Sequence, residues 1–328
     1  LEISAFDPVA RDDPHPRMRA LREKGRVLRD DTARAWLLSH AEDIRETVND
    51  ATFVRHPSKA EEGSITRMLV DPDDPEGSRT SILFMDDPDH ARNRRPLMQA
   101  FYQRIKKMEA EIEALIDGVI DAAPASGRFD LMEKIAVPVP ILVIAHILGV
   151  DESRLEEFRA WSEGLILGLN PVRTPEQTTH MEESREKLDR YFTELMAARR
   201  SEPRNDLISD MVQIQSDGGD FSDEELRINL QALLVGGNLT TTDLIGNGVW
   251  LFLTHPEQLE AFKADPKLDV QAVEEVLRFE APVLATSRIL SEDREVAGCP
   301  MHKSQPVFMS LAAANRDPER FESPEAFD

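Results

Sequence analysis

The chain has 328 residues, 41% of them hydrophobic, which is enough for a large core, and no change of composition divides it. Its 39 Lys and Arg against 62 Asp and Glu give a formal charge of −23, which argues against nucleic acid or an anionic membrane as the main partner and still allows a local basic patch. One cysteine, Cys299, excludes an internal disulfide framework and fits a reducing compartment. In chain order, Arg26-Val27-Leu28 and Ala35-Trp36-Leu37-Leu38 read as paired strands, and His40 to Ile44 opens a helix. From Phe53 to Phe84, Pro, Gly, Asp and Ser mix without a sustained period, which predicts a long loop of the functional or mobile kind. Pro88, after Asp86-Asp87, suits a first helical turn, and Met108, Ile112, Leu115, Ile116 and Ile120 form a helical stripe within Lys106 to Ile120.

The stretch Ile135 to Val150 is apolar but is broken by Pro138 and Pro140 and carries His146, so it is too short and too interrupted to span a bilayer. Glu152 to Leu167 and Glu182 to Arg199 predict two helices joined through Asn170 to Pro175. Ser222-Asp223-Glu224-Glu225 is a capping signature that launches a long central helix, about 222–254. At 1.5 Å per residue that helix extends on the order of 45 Å. After Pro282 the pattern turns to β, in Val283 to Leu290, Glu295-Val296 and Val307 to Leu311. The expectation is a mainly α protein with a small β region contributed by both ends. No basic and apolar leader stands at Leu1, and a cytoplasmic monomer is expected.

Three constellations carry candidate chemistry. Gly236-Gly237-Asn238-Leu239-Thr240-Thr241-Thr242 interrupts the long helix with residues that cost about 2 kcal/mol relative to better helix formers. The glycines admit a close neighbour, either another helix or a ligand, and the Thr240 hydroxyl can bond the carbonyl of Gly236. Glu275 and Arg278 share a helix face and can pair, either as a solvated surface contact or as something more. His90 and Arg94, four residues apart in Asp87 to Arg95, can both donate to a carboxylate, or simply end a basic solvated helix.

Their order is more informative than any one of them. Asp-Pro-x-His-x-x-x-Arg at Asp87 to Arg94 precedes Gly-Gly-x-x-Thr-Thr at Gly236 to Thr241, then Glu-x-x-Arg at Glu275 to Arg278, then Arg288, then Ala314-Asn315-Arg316-Asp317-Pro318. That succession resembles the cytochrome P-450 family of haem-thiolate monooxygenases, soluble bacterial type. The likeness covers the whole chain, from Asp13-Pro14, Leu21-Arg22 and Gly25-Arg26-Val27 to Phe321-Glu322-Ser323-Pro324-Glu325-Ala326-Phe327.

The resemblance implies the cytochrome P-450 fold as a single domain over 1–328, with haem b as cofactor. His90, Arg94 and Arg288 would hold the haem propionates, and Gly236 and Gly237 would let the long helix pass over the distal face. Thr240 would stabilise iron-bound oxygen. Glu275 and Arg278 would organise the proximal core. Ala232, Leu233, Val283 and Leu284 would line the substrate pocket with the Phe53 to Phe84 loop and the Leu165 to Pro175 connection. The implied reaction inserts one oxygen atom of O2 into a hydrophobic small molecule. Electrons would come from a ferredoxin and its reductase, docking near Arg92, Arg95, Arg104, Lys106 and Lys107. The same five residues can equally be ordinary solvated helix surface.

Two departures stand out. Leu239 occupies the position where the family usually has Asp or Glu, so either water, Asn238 or Asp243 substitutes or oxygen activation is slower and leakier, and Asp243, three residues beyond Thr240, is expected to face solvent. The Phe-Gly-x-Gly-x-His-x-Cys ligand segment is not in the sequence, so the cysteine ligand is expected beyond Asp328, together with the last helix. Cys299, in a turn within the β region, matches no ligand position, and residues 1–328 are expected to hold no metal and no normal thiolate-ligated centre. Two alternatives remain at this point. One is a haemless binding module of the same fold. The other is a magnesium-dependent isoprenoid cyclase, suggested by Asp86-Asp87-Pro88-Asp89 and by Asn205-Asp206-Leu207-Ile208-Ser209 with Gln213.

Overall fold

The computed structural model describes residues 13–70, 74 and 80–328. In chain order its elements are α1 (His15–Lys24), β1 (Val27–Asp30), β2 (Ala35–Leu38), α2 (Ala41–Asn49), β3 (Phe53–Val54), α3 (Asp89–Ala122), α4 (Pro138–Leu148), α5 (Leu155–Ile166), α6 (Pro175–Ser201), α7 (Leu207–Ser216), α8 (Asp223–Thr254), α9 (Pro256–Ala264), α10 (Asp269–Phe279), β4 (Ala285–Leu290), β5 (Arg294–Val296), β6 (Cys299–Met301), β7 (Pro306–Ser310) and α11 (Leu311–Ala314). Helices dominate, and both ends of the chain supply the strands, as expected.

The chain forms two compact units, Leu1–Pro75 with Leu244–Asp328, and Glu76–Asp243. Composition gives no sign of this division, because the first unit is assembled from the two ends of the chain. That unit carries a sheet of order β1-β2-β7-β4-β3, with β2 parallel to β7 and the other pairs antiparallel. Adjacent strand residues face opposite sides of a sheet, which puts neighbours into different cores. Leu38 packs with Ile44, Leu290, Val307 and Met309, whereas Leu37 packs with Met18, Leu21 and Ala313. A separate hairpin pairs β5 with β6.

The second unit is helical. Its core joins Leu97 and Met108 of α3, Ile144 and Leu148 of α4, Phe158 of α5, and Leu188 and Phe192 of α6 to Leu207, Met211, Leu230 and Leu234. Phe158 and Phe192 are fully buried and meet edge to face at 6.0 Å. Burial of such a ring stabilises by about 1.5–3 kcal/mol.

Cap chemistry sets the helix boundaries. The Ser222 Oγ accepts from the Glu225 amide at 3.1 Å, and the Glu225 carboxylate accepts from the Ser222 amide at 2.7 Å, the reciprocal cap expected for α8. A second box, Thr174 with Gln177 and Pro175 at the first position, starts α6 well before the expected Glu182. α3 runs unbroken through Pro96, a longer element than its apolar stripe suggested. The expected loop from Phe53 to Phe84 contains β3 and two short 3-10 turns, Pro57–Lys59 and Thr66–Leu69; its residues 71–73 and 75–79 lie outside the described residues. Cys299, expected in a turn, opens β6, and the turn before it is Ala297-Gly298, with φ of 46° and 79°. No helix of the described residues is long and apolar enough to cross a membrane.

Candidate functional site

In the helical unit the glycine step of α8 separates into two flanks. A Cβ added at Gly237 would lie 3.2 Å from Ile144 Cδ1, so this glycine accommodates α4 in a close helix crossing. A Cβ added at Gly236 would meet nothing within 4 Å, so this glycine opens on free space. The expectation that both glycines leave room for a ligand is therefore corrected at Gly237, which Ile144 crowds, and of the two only Gly236 stands open. Thr240, one turn on, donates from Oγ1 to the Gly236 carbonyl at 2.7 Å, as its spacing predicted.

Asn238 turns away from that flank. It is 2% exposed, and its Nδ2 donates to Ser162 Oγ of α5 at 2.8 Å, so it joins two helices and is corrected from its expected place beside Thr240. Leu233, four residues before Gly237, is half-buried against the same core as Ile144, whereas the buried Ala232 precedes Gly236 by one turn. Leu239 is half-buried. Asp243 keeps solvent access at its side chain, and partial desolvation raises its carboxyl above the usual range.

At the start of α3, His90 Nδ1 lies 3.6 Å from Asp87 Oδ1, and Arg94, on the same helix face, is exposed with no hydrogen bond or ion pair among the described residues. The neighbouring cations differ. Arg92 is held by Asp89 and Glu225, and Arg104 is buried against Asp210 and Asn205. Both are thereby corrected as docking groups, since their charge is already neutralised inside the unit. Arg95, Lys106 and Lys107 are exposed.

The same geometry removes the cyclase motif. Asp206 caps α7 by accepting from the Ser209 amide at 2.8 Å and pairs with the buried Arg199 at 2.6 Å. Among the described residues no group of three or more His, Cys, Asp or Glu side chains could hold a metal ion. A cleft of about 570 Å³ near this knot is lined by His146, Arg154, Tyr191, Arg199, Arg204 and Asp206, and none of the expected site residues lines it.

In the sheet unit, Glu275 and Arg278 pair at 2.6 Å and are half-buried, where a buried pair was expected. Arg278 also donates to the carbonyl oxygens of Asn315, Pro324 and Ala326. Those three carbonyls complete the guanidinium's hydrogen bonds. Arg288 lies on β4, with Nη1 donating to the Ser287 carbonyl at 2.8 Å. Val283 and Leu284, just before β4, leave 46% and 42% of their surface exposed, an apolar edge without cover. Cys299 is a free thiol, its Sγ 4.0 Å from the Pro300 carbonyl. Sequence reading missed Asn93 and Asn229, both buried. For Asn229 the available signal was an Asn between Leu226, Leu230 and Leu233 on the apolar side of α8.

A family model described as Cytochrome P450 matches residues 267–328. Cytochrome P450 107B1 of Saccharopolyspora erythraea is 33% identical over 335 residues, spanning 100% of this chain and 81% of that protein. The 6-deoxyerythronolide B hydroxylase of the same organism is 32% identical over 90% of this chain and 73% of its own length. Among solved structures, epothilone B-bound cytochrome P450epoK matches with a TM-score of 0.88 at 29% identity, covering 99% of this chain and 82% of that one.

Proposed function

The chain belongs to the cytochrome P450 family of haem monooxygenases, and from that premise we propose that it oxygenates a hydrophobic small molecule with electrons from a ferredoxin and its reductase. The open flank of α8 at Gly236, with the Thr240 hydroxyl on the next turn, is the observation that carries this reading. A flat group can approach the main chain there because no side chain stands at Gly236.

The residues present fit the haem on the side of its carboxylate arms. Arg94 offers a guanidinium that no carboxylate of the described residues neutralises, and His90 shares its helix face. Arg288 is the third candidate donor. Cys299 does not fit the iron, because its thiol is tied to the β5–β6 hairpin beside a carbonyl oxygen. When bound, the haem supplies O–O cleavage and oxygen transfer, with two electrons and two protons reducing the second oxygen atom to water.

This chain's own part is positioning and proton handling. The Thr240 hydroxyl donates its hydrogen bond to the Gly236 carbonyl and keeps its oxygen lone pairs for a donor on the open side. Leu239 can carry no proton. Asp243, exposed and three residues beyond Thr240, is the one acid on α8 beyond the first turn and is the candidate proton source. Ala232 extends the open flank toward a substrate, and Val283 and Leu284 offer apolar surface. A hydrophobic substrate is supported by relatives named as 6-deoxyerythronolide B hydroxylase and vitamin D(3) 25-hydroxylase. Arg95, Lys106 and Lys107 are the cations exposed for an acidic electron donor. We place the protein in the cytoplasm as a monomer.

The test is the absorption spectrum of the reduced, carbon monoxide-bound native protein. A thiolate-ligated haem places the main band far to the red. A band at the histidine-ligated position, or no haem at all, overturns the proposal.

A further inference from the structure

Within the helical unit a chain of buried amides joins the start of α8 to the residues leading into α3. Arg92 forks the Glu225 carboxylate, with Nη1 donating to Oε2 at 3.2 Å. Glu225 Oε1 accepts from Asn93 Nδ2 at 3.1 Å, Asn93 Oδ1 accepts from Asn229 Nδ2 at 3.1 Å, and Asn229 Oδ1 accepts from the backbone N–H of Ile82 at 2.9 Å. Asn93 and Asn229 are each 3% exposed.

The chain has a direction. A carboxylate can only accept, and Arg92 holds Glu225 ionised, with its carboxyl brought down to about 2. Asn93 must therefore turn its amide nitrogen to Glu225 and its oxygen to Asn229. That in turn fixes Asn229 with its nitrogen toward Asn93 and its oxygen toward Ile82. An amide side chain that could otherwise sit either way round is left with one orientation. Asn229, Ala232 and Gly236 stand at i, i+3 and i+7 of α8 and share a face. The hydrogen bond to Ile82 thus ties residues 80–85 to the helix face that carries the open flank.

We propose that Asn229 is a positioning residue that latches residues 80–85 onto α8 and limits the size of ligand reaching the Gly236 flank. The latch stands on the hydrogen bonds alone, and its effect on ligands rests on the monooxygenase reading. The latch needs an acceptor held at one point, and a hydrophobic residue at 229 leaves the Ile82 amide with none. Leu83, next in the chain, is bonded only to Ser81 Oγ at 3.4 Å and serves as the internal comparison.

Hydrogen exchange on the native holoenzyme, read residue by residue, is the test. The wild-type Ile82 amide is expected to exchange about ten-fold more slowly than that of Leu83. Asn229→Ala is expected to bring Ile82 to the rate of Leu83 while the amides of α4 keep their protection. In the same variant, stopped-flow binding of 4-phenylimidazole to the haem is expected to be several-fold faster, with the rate for cyanide unchanged. Equal wild-type rates at Ile82 and Leu83 overturn the latch. Azole and cyanide rates that move together, or neither moving, overturn the size limit. Should Asn229→Ala fail to fold, loss of protection throughout α4 shows it, and the wild-type ratio alone decides. An enzyme giving no azole spectrum sinks the monooxygenase reading and with it the size limit, while exchange at Ile82 still decides whether the latch exists.

Discussion

Arg278 grips Glu275 through two parallel hydrogen bonds, Nε to Oε2 at 2.6 Å and Nη2 to Oε1 at 2.7 Å. The same guanidinium donates from Nη1 to the carbonyl oxygens of Asn315 at 2.9 Å and Pro324 at 3.0 Å, and Glu275 Oε1 accepts from the Asp328 amide at 3.0 Å. One side-chain pair therefore fastens the segment after α11 to α10.

Arg278→Lys keeps the charge and loses the fork, leaving several carbonyls and one carboxylate oxygen without a donor. Because the lysine charge stays beside Glu275, the cost should be below the about 3 kcal/mol that follows removal of one partner of a buried pair. Urea denaturation should show a lower midpoint with an unchanged slope. A midpoint equal to wild type would mean that the fork does not anchor this segment.

Gly149 ends α4 with φ of 79°, and a Cβ there would fall 2.2 Å from Asp206 Oδ2. Asp206 cannot retreat without leaving Arg199, itself buried and also donating to the Gly149 carbonyl at 2.9 Å. Gly149→Ala combines left-handed strain, worth about 1–2 kcal/mol, with disruption of a buried ion pair. Thermal unfolding should shift down by several degrees. Asp206→Asn can keep the Ser209 cap through its amide oxygen but leaves the buried Arg199 without a carboxylate, so it should also lose about 3–5 kcal/mol.

Much of this was legible from residue type and spacing. The cap at Ser222, the Thr240 back-bond, the Glu275–Arg278 pair and the strands at both ends depend on neighbours within a turn or on simple alternation. What the sequence hid depends on direction around a helix and on distant partners. Gly236 and Gly237 are adjacent and chemically identical, yet one faces Ile144 and the other free space. Arg92 and Arg104 look like surface cations until Glu225 and Asp210, more than a hundred residues away, are brought against them. Asn238 was assigned by its place beside Thr240, but one residue turns a helical side chain by about 100°, which carries it to Ser162.

The two glycines give a paired prediction. Gly237→Ala must push Ile144 at 3.2 Å and should destabilise by about 1–3 kcal/mol through overpacking. Gly236→Ala meets nothing and should stabilise the ligand-free protein by up to about 1 kcal/mol from helix propensity alone. Its methyl group, however, enters the open flank, so substrate or azole affinity should fall. Calorimetry of both variants with and without haem separates these effects. Equal changes in the two variants would refute the assignment of the two flanks.

Acid stability should depend on Glu225. Its carboxyl is lowered from 4.5 to about 2, first by the hydrogen bond from Arg92, with smaller help from the Ser222 amide and Asn93 against an opposing desolvation. A depressed carboxyl contributes stability that is whole above pH 4.5 and is lost as pH falls through about 2. Arg92→Ala removes the largest cause, so the acid-unfolding midpoint should move to higher pH. The stability gap between wild type and variant should be full at pH 7 and close below about pH 2. Circular dichroism at fixed denaturant over this range measures both, and a gap independent of pH would show that Arg92 acts through packing instead of charge.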